Sequence, residues 1–187
     1  MRSKFILICT VLSALFLITS VVSADYIRYD QPVKVDYHAL SKPVRKQVDC
    51  LAENIMFEAG HEPKEGQVAV AMVTLNRLSS GNYADDVCGV VKQKTKGTCQ
   101  FSWVCEATNA AKRLTMLHTP LYNEIRELAV NVLFNYDTMK DVTNGATYYH
   151  ADYVNPRWGL PKTTKIGRHI FYKRDSDLQT MNKEIKL

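Results

Sequence analysis

The sequence predicts an α+β fold, mainly helical, with a small antiparallel sheet near the C-terminus. Apolar residues recur at helical spacing over residues 44–60 and 120–134, and the segment 64–78 contains an apolar run long enough for a buried helix. Two later segments, 146–154 and 163–173, have the composition and spacing of strands. Because the helices precede the strands instead of alternating with them, the pattern indicates α+β rather than a parallel α/β sheet.

The first 24 residues have the pattern of a secretory signal peptide. Arg2 and Lys4 form a short basic region, an apolar run follows over 5–22, and the small residues of 22–24 end it. The mature chain is therefore predicted to begin near Asp25 and to be exported to the periplasm or the cell exterior. An uncleaved membrane anchor is the alternative, because the apolar run is nearly long enough to span a bilayer.

The remaining chain has the length of one domain with a real core. Residues 25–43 carry Pro32 and Pro43 and show no helical period, so they are predicted to be an extended lead-in. Residues 44–187 are predicted to form a single domain.

The predicted helices follow in order. The first has one apolar stripe, made by Val44, Val48, Leu51 and Ile55. The second, 64–78, is apolar on all sides, which is typical of a helix at the centre of a core. A short helix at 87–93, a loop at 94–98, a helix at 107–117 and a long helix from Thr119-Pro120 to 134 come next.

The predicted strands close the domain. The first covers 146–154, a turn at 155–161 follows, and 163–173 is predicted to be a second strand. The last fourteen residues are polar and are predicted to fray.

Once Cys9 of the leader is set aside, the cysteines are Cys50, Cys88, Cys99 and Cys105. An even count in an exported chain predicts two disulfides, with three possible pairings. Cys99 and Cys105 are near enough in sequence to close a small loop, but the pairing stays open. The chain has no Cys-x-x-Cys pair and its histidines are far apart, so neither a metal site nor a cofactor is predicted.

The charge is mildly basic. The net charge of +5 falls to +3 when Arg2 and Lys4 leave with the leader. This balance suits an exported protein that works on an anionic polymer such as a cell wall, and it is too weak to indicate a nucleic-acid partner.

Glu58 is the strongest candidate for chemistry. It continues the apolar stripe one step of three beyond Ile55, beside the helix break at Gly60, which would place it at the lip of a cleft. Burial of a carboxylate there raises its pKa and keeps a proton available near neutral pH, as a general acid requires. Glu53 is predicted on the opposite, solvated face. Glu62 is predicted to stabilise the N-terminus of the second helix.

Five sequence blocks occur in series along the chain. They are Phe57-Glu58-Ala59 with 62–77, Val87-Cys-Gly-Val-Val91, Cys99-Gln-Phe-Ser-Trp103, 145–158 and Lys165–Tyr172. Together they resemble the bacterial and phage cell-wall hydrolase family typified by the spore-cortex-lytic enzyme SleB. The resemblance implies a lysozyme-like catalytic domain that acts on peptidoglycan, with Glu58 as the catalytic glutamate.

Further residues are candidates for binding the sugar chain: Gln100, Ser102, Tyr148, His150, Asn155 and Trp158. The first two can hydrogen-bond sugar substituents, and the last two can hold or stack on a sugar ring. Tyr148 and His150 share one face of the first predicted strand and are predicted to line the cleft, whereas Tyr149 and Tyr153 face packing. Purely structural roles stay open for these residues.

The predicted function is cleavage of the bond between N-acetylmuramic acid and N-acetylglucosamine by a monomeric enzyme. Most glycosidases use two carboxylates, and no second acid stands out among Asp85, Asp86, Asp137, Asp141 and Asp152. A lytic transglycosylase needs one glutamate and is therefore favoured. The alternatives are an N-acetylmuramoyl-L-alanine amidase and a wall-binding module without activity.

Overall fold

The computed structural model describes residues 32–178. The predicted signal peptide lies outside these residues. Of the helices formed by residues 32–178, none combines the length and the apolar character of a membrane span.

The lead-in is more structured than the sequence indicates. Tyr37–Ala39 form a 3₁₀ turn, and helix α1 begins at Lys42 with Pro43 in its first turn, where proline is tolerated. Upstream, the backbone N–H and C=O of Val33 hydrogen-bond the side chain of Asn135 at 2.6 and 3.1 Å. The expected extended conformation therefore applies only to the first few described residues.

Helices α1 and α2 carry the core. Helix α1 is Lys42–Ala59, and Val48, Leu51 and Ile55 of the predicted stripe are fully buried. Helix α2 is Lys64–Ser80 and is buried on nearly every side, because α1, the later helices and the C-terminal sheet all pack against it. Both helical predictions are confirmed. Burial of each large apolar side chain contributes about 1.5–3 kcal/mol.

The remaining helices surround this pair. They are α3 (Val87–Lys92), α4 (Ser102–Cys105), α5 (Asn109–Met116), α6 (Pro120–Asn135) and α7 (Asp175–Leu178). Helix α6 packs against α1 through Ile125, Leu128 and Val132, and the hydroxyl of Thr119 caps it by accepting from Tyr122 N. Helix α7 forms within the segment that was predicted to fray, so that prediction is wrong for residues 175–178.

A hairpin replaces the predicted loop at 94–98. Strands β1 (Lys94–Thr95) and β2 (Thr98–Cys99) pair antiparallel around Lys96 and Gly97, whose φ angles are 51° and 84°. Two successive residues with positive φ are typical of the tight turns that match strand twist. Lysine is an unusual first residue for such a turn, so the sequence does not indicate it.

The C-terminal sheet has three antiparallel strands in the order β3-β5-β4. Strand β3 is Tyr148–Ala151, shorter than the predicted 146–154. The predicted single strand at 163–173 is wrong, because it is a hairpin of β4 (Lys162–Ile166) and β5 (His169–Tyr172) that turns at Gly167. Ile166 and Phe171 face α2 and form a second apolar cluster with it.

Two disulfides are present, as predicted, and they settle the pairing. Cys50–Cys88 joins α1 to α3, and Cys99–Cys105 closes a short loop that contains α4. The loop holds Trp103 against α1.

Glu53 differs from its prediction. It is buried rather than solvated, and its carboxylate pairs with Arg113 at 2.6 Å. The face of α1 that was expected to meet water is covered by the α4–α5 region, which sequence periodicity cannot reveal.

Candidate active site

Glu58 lies on the last turn of α1 and is half-buried. Its Oε2 accepts a hydrogen bond of 3.0 Å from the hydroxyl of Tyr149 on strand β3. The end of the first long helix and the C-terminal sheet therefore meet at this carboxylate.

The surroundings of Glu58 favour its protonated form. Burial raises the pKa of the carboxyl above its ordinary value, and the charge of Glu106 acts in the same direction. The hydrogen bond from Tyr149 and the positive charge of Arg77 oppose this effect without cancelling it. Burial also raises the pKa of Tyr149 well above its ordinary value, so its hydroxyl keeps its proton and remains a donor.

Arg77 is a buried cation close to this pair. It is 5 % exposed, and its Nε donates to the carbonyl of Thr147 at 2.7 Å. Its guanidinium lies over the rings of Phe101, Tyr83 and Tyr148 at 5.0, 5.5 and 5.9 Å. Its Nη1 finds no hydrogen-bond partner among residues 32–178. Arg77 is not among the predicted site residues, although an arginine in a helix that is apolar on all sides is a usable signal.

An aromatic pair supports the residue next to Glu58. Phe57 stacks on Trp103 with ring centroids 4.5 Å apart and planes within 7°. The indole N–H of Trp103 donates to Asn54 at 3.0 Å, and Asn54 in turn donates to Thr74 at 3.1 Å. These contacts fix the α4 loop against α1 and hold the end of α1 in place.

Gln100 and Tyr148, both predicted to bind sugar, line one cavity of about 480 Å³. The side-chain amide of Gln100 also donates to Thr95 Oγ1 at 3.3 Å. Ser102 is exposed at the start of α4 and does not line this cavity. The structure therefore brings Gln100 and Tyr148 together and places Ser102 at the surface.

Tyr148, His150 and Trp158 come together in an aromatic cluster with Tyr172. The ring of His150 stacks on Tyr172 and hydrogen-bonds its hydroxyl at 2.9 Å. Trp158 approaches His150 and Tyr148 at 5.5 and 5.9 Å and remains 44 % exposed. Asn155 lies in the exposed turn before it. An exposed indole beside tyrosines is a surface on which a sugar ring can stack.

The structure changes the expected roles of the two strand faces. Tyr149 packs against the core, as predicted. Its hydroxyl also hydrogen-bonds Glu58, although the cleft was predicted on the opposite face of the strand, with Tyr148 and His150. Tyr153, predicted to pack, is 77 % exposed. The reason is that β3 ends at Ala151, so the alternation does not extend to Tyr153.

Glu62 has a different partner from the one predicted. Its Oε2 accepts the backbone N–H of Arg168 at 3.1 Å, in the turn between β4 and β5. The neighbouring Gly167 has φ +53°, and a Cβ there would collide with the same carboxylate oxygen. This Glu62–Arg168 latch ties the loop that follows Glu58 to the sheet that carries Tyr149.

The other acids considered as second carboxylates have structural partners or lie at the surface. Asp86 caps α3, and Asp141 binds Thr143 and the N–H of Gly145. The hydrogen bond from Lys165 holds the pKa of Asp152 below its ordinary value. Asp85 and Asp137 are exposed. Within residues 32–178, no three His, Cys, Asp or Glu side chains converge as metal ligands would.

Comparison with known proteins identifies the family. The profile of the Cell Wall Hydrolase family matches residues 61–172. The chain belongs to this family. The predicted membership of a cell-wall hydrolase family is therefore confirmed. The matched range begins after Glu58, so the catalytic assignment of that residue rests on its geometry and chemistry.

Two spore cortex-lytic enzymes are similar to this chain. The enzyme of Halalkalibacterium halodurans is 31 % identical over 131 residues, which cover 66 % of this chain and 34 % of that enzyme. The enzyme of Bacillus subtilis is 29 % identical over 126 residues, which cover 66 % and 36 %. The chain thus spans about a third of the length of these relatives.

A solved structure has the same fold. It is the catalytic domain of the germination-specific lytic transglycosylase SleB from Bacillus anthracis, with 31 % identity and a TM-score of 0.52. The match covers 72 % of this chain and 98 % of that domain, which confirms the predicted resemblance to SleB. The predicted α+β fold is confirmed.

Proposed function

We propose that this chain is a peptidoglycan-degrading lytic transglycosylase in which Glu58 acts as both acid and base. The observation that carries the proposal is a carboxyl with a raised pKa at a helix end, hydrogen-bonded to Tyr149. Its similarity to a lytic transglycosylase domain supports the same reaction class. The enzyme would act outside the cytoplasm, where its substrate lies.

In the proposed reaction, Glu58 first donates its proton to the glycosidic oxygen between N-acetylmuramic acid and N-acetylglucosamine. The C1–O bond breaks, and the leaving sugar departs as an alcohol. The Glu58 carboxylate then removes the proton of the muramoyl 6-hydroxyl while that oxygen attacks C1. A 1,6-anhydro ring forms, and Glu58 regains its proton for the next cycle. Water is not consumed, and a second carboxylate is not required.

Tyr149 and Arg77 suit the alternation between the two forms of Glu58. The phenol hydrogen bond and the buried positive charge both stabilise the carboxylate, whereas burial stabilises the acid. These opposing influences keep either form accessible, as a residue that acts first as acid and then as base requires.

Product analysis tests the reaction. Purified peptidoglycan is digested and the products are examined by mass spectrometry, with 1,6-anhydro-muramoyl ends expected. Ordinary reducing ends, heavier by one water, would mean that water is the nucleophile. Release of stem peptides that stops with EDTA and returns with zinc would favour the amidase instead. Binding to walls without any cleavage would favour a wall-binding module.

Substitution of Glu58 tests whether this residue is the acid and base of the reaction. Glu58→Gln keeps the shape and the hydrogen-bond acceptor but removes the titrating proton, so lysis should fall by about 10²–10⁴-fold or more. Glu65→Gln, at an exposed glutamate in the first turn of α2, is the matched control and should lyse walls normally. Normal lysis by Glu58→Gln would overturn the assignment.

A further inference from the structure

The cavity lined by Gln100 and Tyr148 has polar walls that the proposed reaction does not use. Tyr83, Asn82, Arg174 and Asp177 also line it. The cavity of about 480 Å³ has the size of a small-ligand site. Arg77 relates it to the site of Glu58, because its guanidinium contacts the rings of Tyr83 and Tyr148 and its charge lowers the pKa of Glu58.

The charges around the cavity favour an anion. Arg174 is exposed there and lies over the ring of Tyr148 at 5.1 Å. The carboxylate of Asp177 already accepts from Thr147 Oγ1 at 2.6 Å and from Asn82 Nδ2 at 3.1 Å, so it is committed to the fold. Behind the tyrosine rings, Arg77 is nine-tenths buried, and its Nη1 lacks a hydrogen-bond partner among residues 32–178. Arg174 is therefore the cation that lines the cavity, with the Arg77 guanidinium behind its tyrosine rings.

The tyrosine hydroxyls supply a donor. Tyr83 and Tyr148 hydrogen-bond each other, and this bond adds to burial in raising the pKa of Tyr83. A phenol hydroxyl both donates and accepts, so one hydroxyl of the pair can donate to the other while the second donates to a ligand. A hydroxyl donor beside an arginine is a suitable pair for a carboxylate ligand.

We propose that this cavity binds a carboxylate of the stem peptide attached to the glycan strand, through Arg174 and Tyr148. The inference rests on the proposed function. The sugars of the strand present hydroxyl and N-acetyl groups, which are neutral, whereas the free carboxylates of peptide-bearing peptidoglycan are on the stem peptide. The enzyme would then prefer strands that carry peptides to strands from which peptides have been removed.

Kinetics on two substrates test the preference. One is intact peptidoglycan, and the other is the same material stripped of peptides by an amidase, which leaves the lactyl carboxylate on the glycan. The wild type should show kcat/KM about tenfold higher on the peptide-bearing substrate, as expected for one hydrogen bond to a charged group. Arg174→Gln should bring the ratio of the two kcat/KM values close to one. Lys140→Gln, at an exposed lysine outside the cavity, should keep the wild-type ratio.

Binding measurements test whether the recognised carboxylate belongs to the stem peptide. Glu58→Gln protein is titrated with a disaccharide–peptide fragment, with the same fragment after its peptide carboxylates are converted to amides, and with the bare disaccharide. The first should bind about tenfold more tightly than the other two, and Arg174→Gln in the same background should remove the difference. Equal binding of the three ligands, or an equal loss on both kinetic substrates with Arg174→Gln, would overturn the peptide site while leaving the transglycosylase intact. If the wild type cleaves neither substrate, the proposed function itself fails.

Discussion

The hydroxyl of Tyr149 donates a 3.0 Å hydrogen bond to Oε2 of Glu58, across 91 positions of sequence. The bond stabilises the carboxylate and so works against burial, which stabilises the acid. A partner on another element therefore lowers the proton affinity that burial gives to Glu58.

Tyr149→Phe should keep Glu58 protonated to a higher pH and make it a weaker proton donor. Loss of the phenol raises the pKa of Glu58 further, so the pH profile of kcat/KM should shift towards higher pH. The rate should fall by about 10- to 100-fold, equivalent to one hydrogen bond to a charged group. Tyr153→Phe, at an exposed tyrosine just past β3, is the control. An unshifted profile in Tyr149→Phe would show that the bond does not tune the glutamate.

Glu58→Gln should stabilise the fold at neutral pH. The pKa of Glu58 is raised in the folded protein, so this carboxyl ionises at a lower pH in the unfolded chain than in the folded one. The stability that this difference provides is fully present below about pH 4.5 and is lost as the pH rises through the pKa of the folded protein. Glutamine stays neutral and avoids this loss. Thermal unfolding should therefore show a higher Tm for Glu58→Gln at pH 7 and little difference at pH 4. A lower Tm at both pH values would contradict the expected cost of the buried charge.

The Glu62–Arg168 latch predicts a coupled pair of substitutions. Glu62→Ala removes the acceptor for the exposed Arg168 N–H and should cost about 0.5–1.5 kcal/mol of unfolding free energy. Glu62→Gln keeps an acceptor and should cost less. Gly167→Ala should cost about 1–3 kcal/mol, because it places a Cβ at positive φ against the Glu62 carboxylate.

The double variant Glu62→Ala with Gly167→Ala separates contact from backbone strain. Gly167→Ala should cost less in the Glu62→Ala background, because the colliding carboxylate has gone, and urea unfolding measures the difference. Strictly additive losses would mean that the cost of the alanine is backbone strain alone.

The four cysteines of the mature protein are expected to be fully oxidised. We expect the mature protein to begin near Asp25 and to contain no free thiol. Its intact mass, measured with and without a thiol reagent, tests both expectations. Replacing Cys50 and Cys88, which are 38 residues apart, should cost about 2–4 kcal/mol. Replacing Cys99 and Cys105, only 6 apart, should cost less if chain entropy dominates. Labelling of two or more thiols would contradict the oxidised state.

Periodicity was sufficient to predict the long helices. The stripe of Val48, Leu51 and Ile55 and the apolar run in α2 appear in the sequence because those helices bury a continuous face or all faces. Turns with unusual residues were missed. Lys96 at positive φ and the reversal at Gly167 interrupt segments that otherwise have loop or strand composition.

Glu58 could be proposed from sequence because its environment follows from its own helix. The roles of Tyr149 and Arg77 could not, since each depends on packing between elements. Alternation along β3 shows which residues share a face, but only the pairing of β3 with β5 and the packing of the sheet on α2 decide which face meets the glutamate. The covered position of Glu53 depends in the same way on a distant helix.

Strand β3 has one partner in its sheet, β5, which is the last strand within residues 32–178. On the ribosome, Glu58 therefore emerges long before Tyr149 has a strand to pair with, and residues 169–172 must follow before the sheet can close. A chain that ends early, or that is still being made, would carry the glutamate without the partner that tunes it.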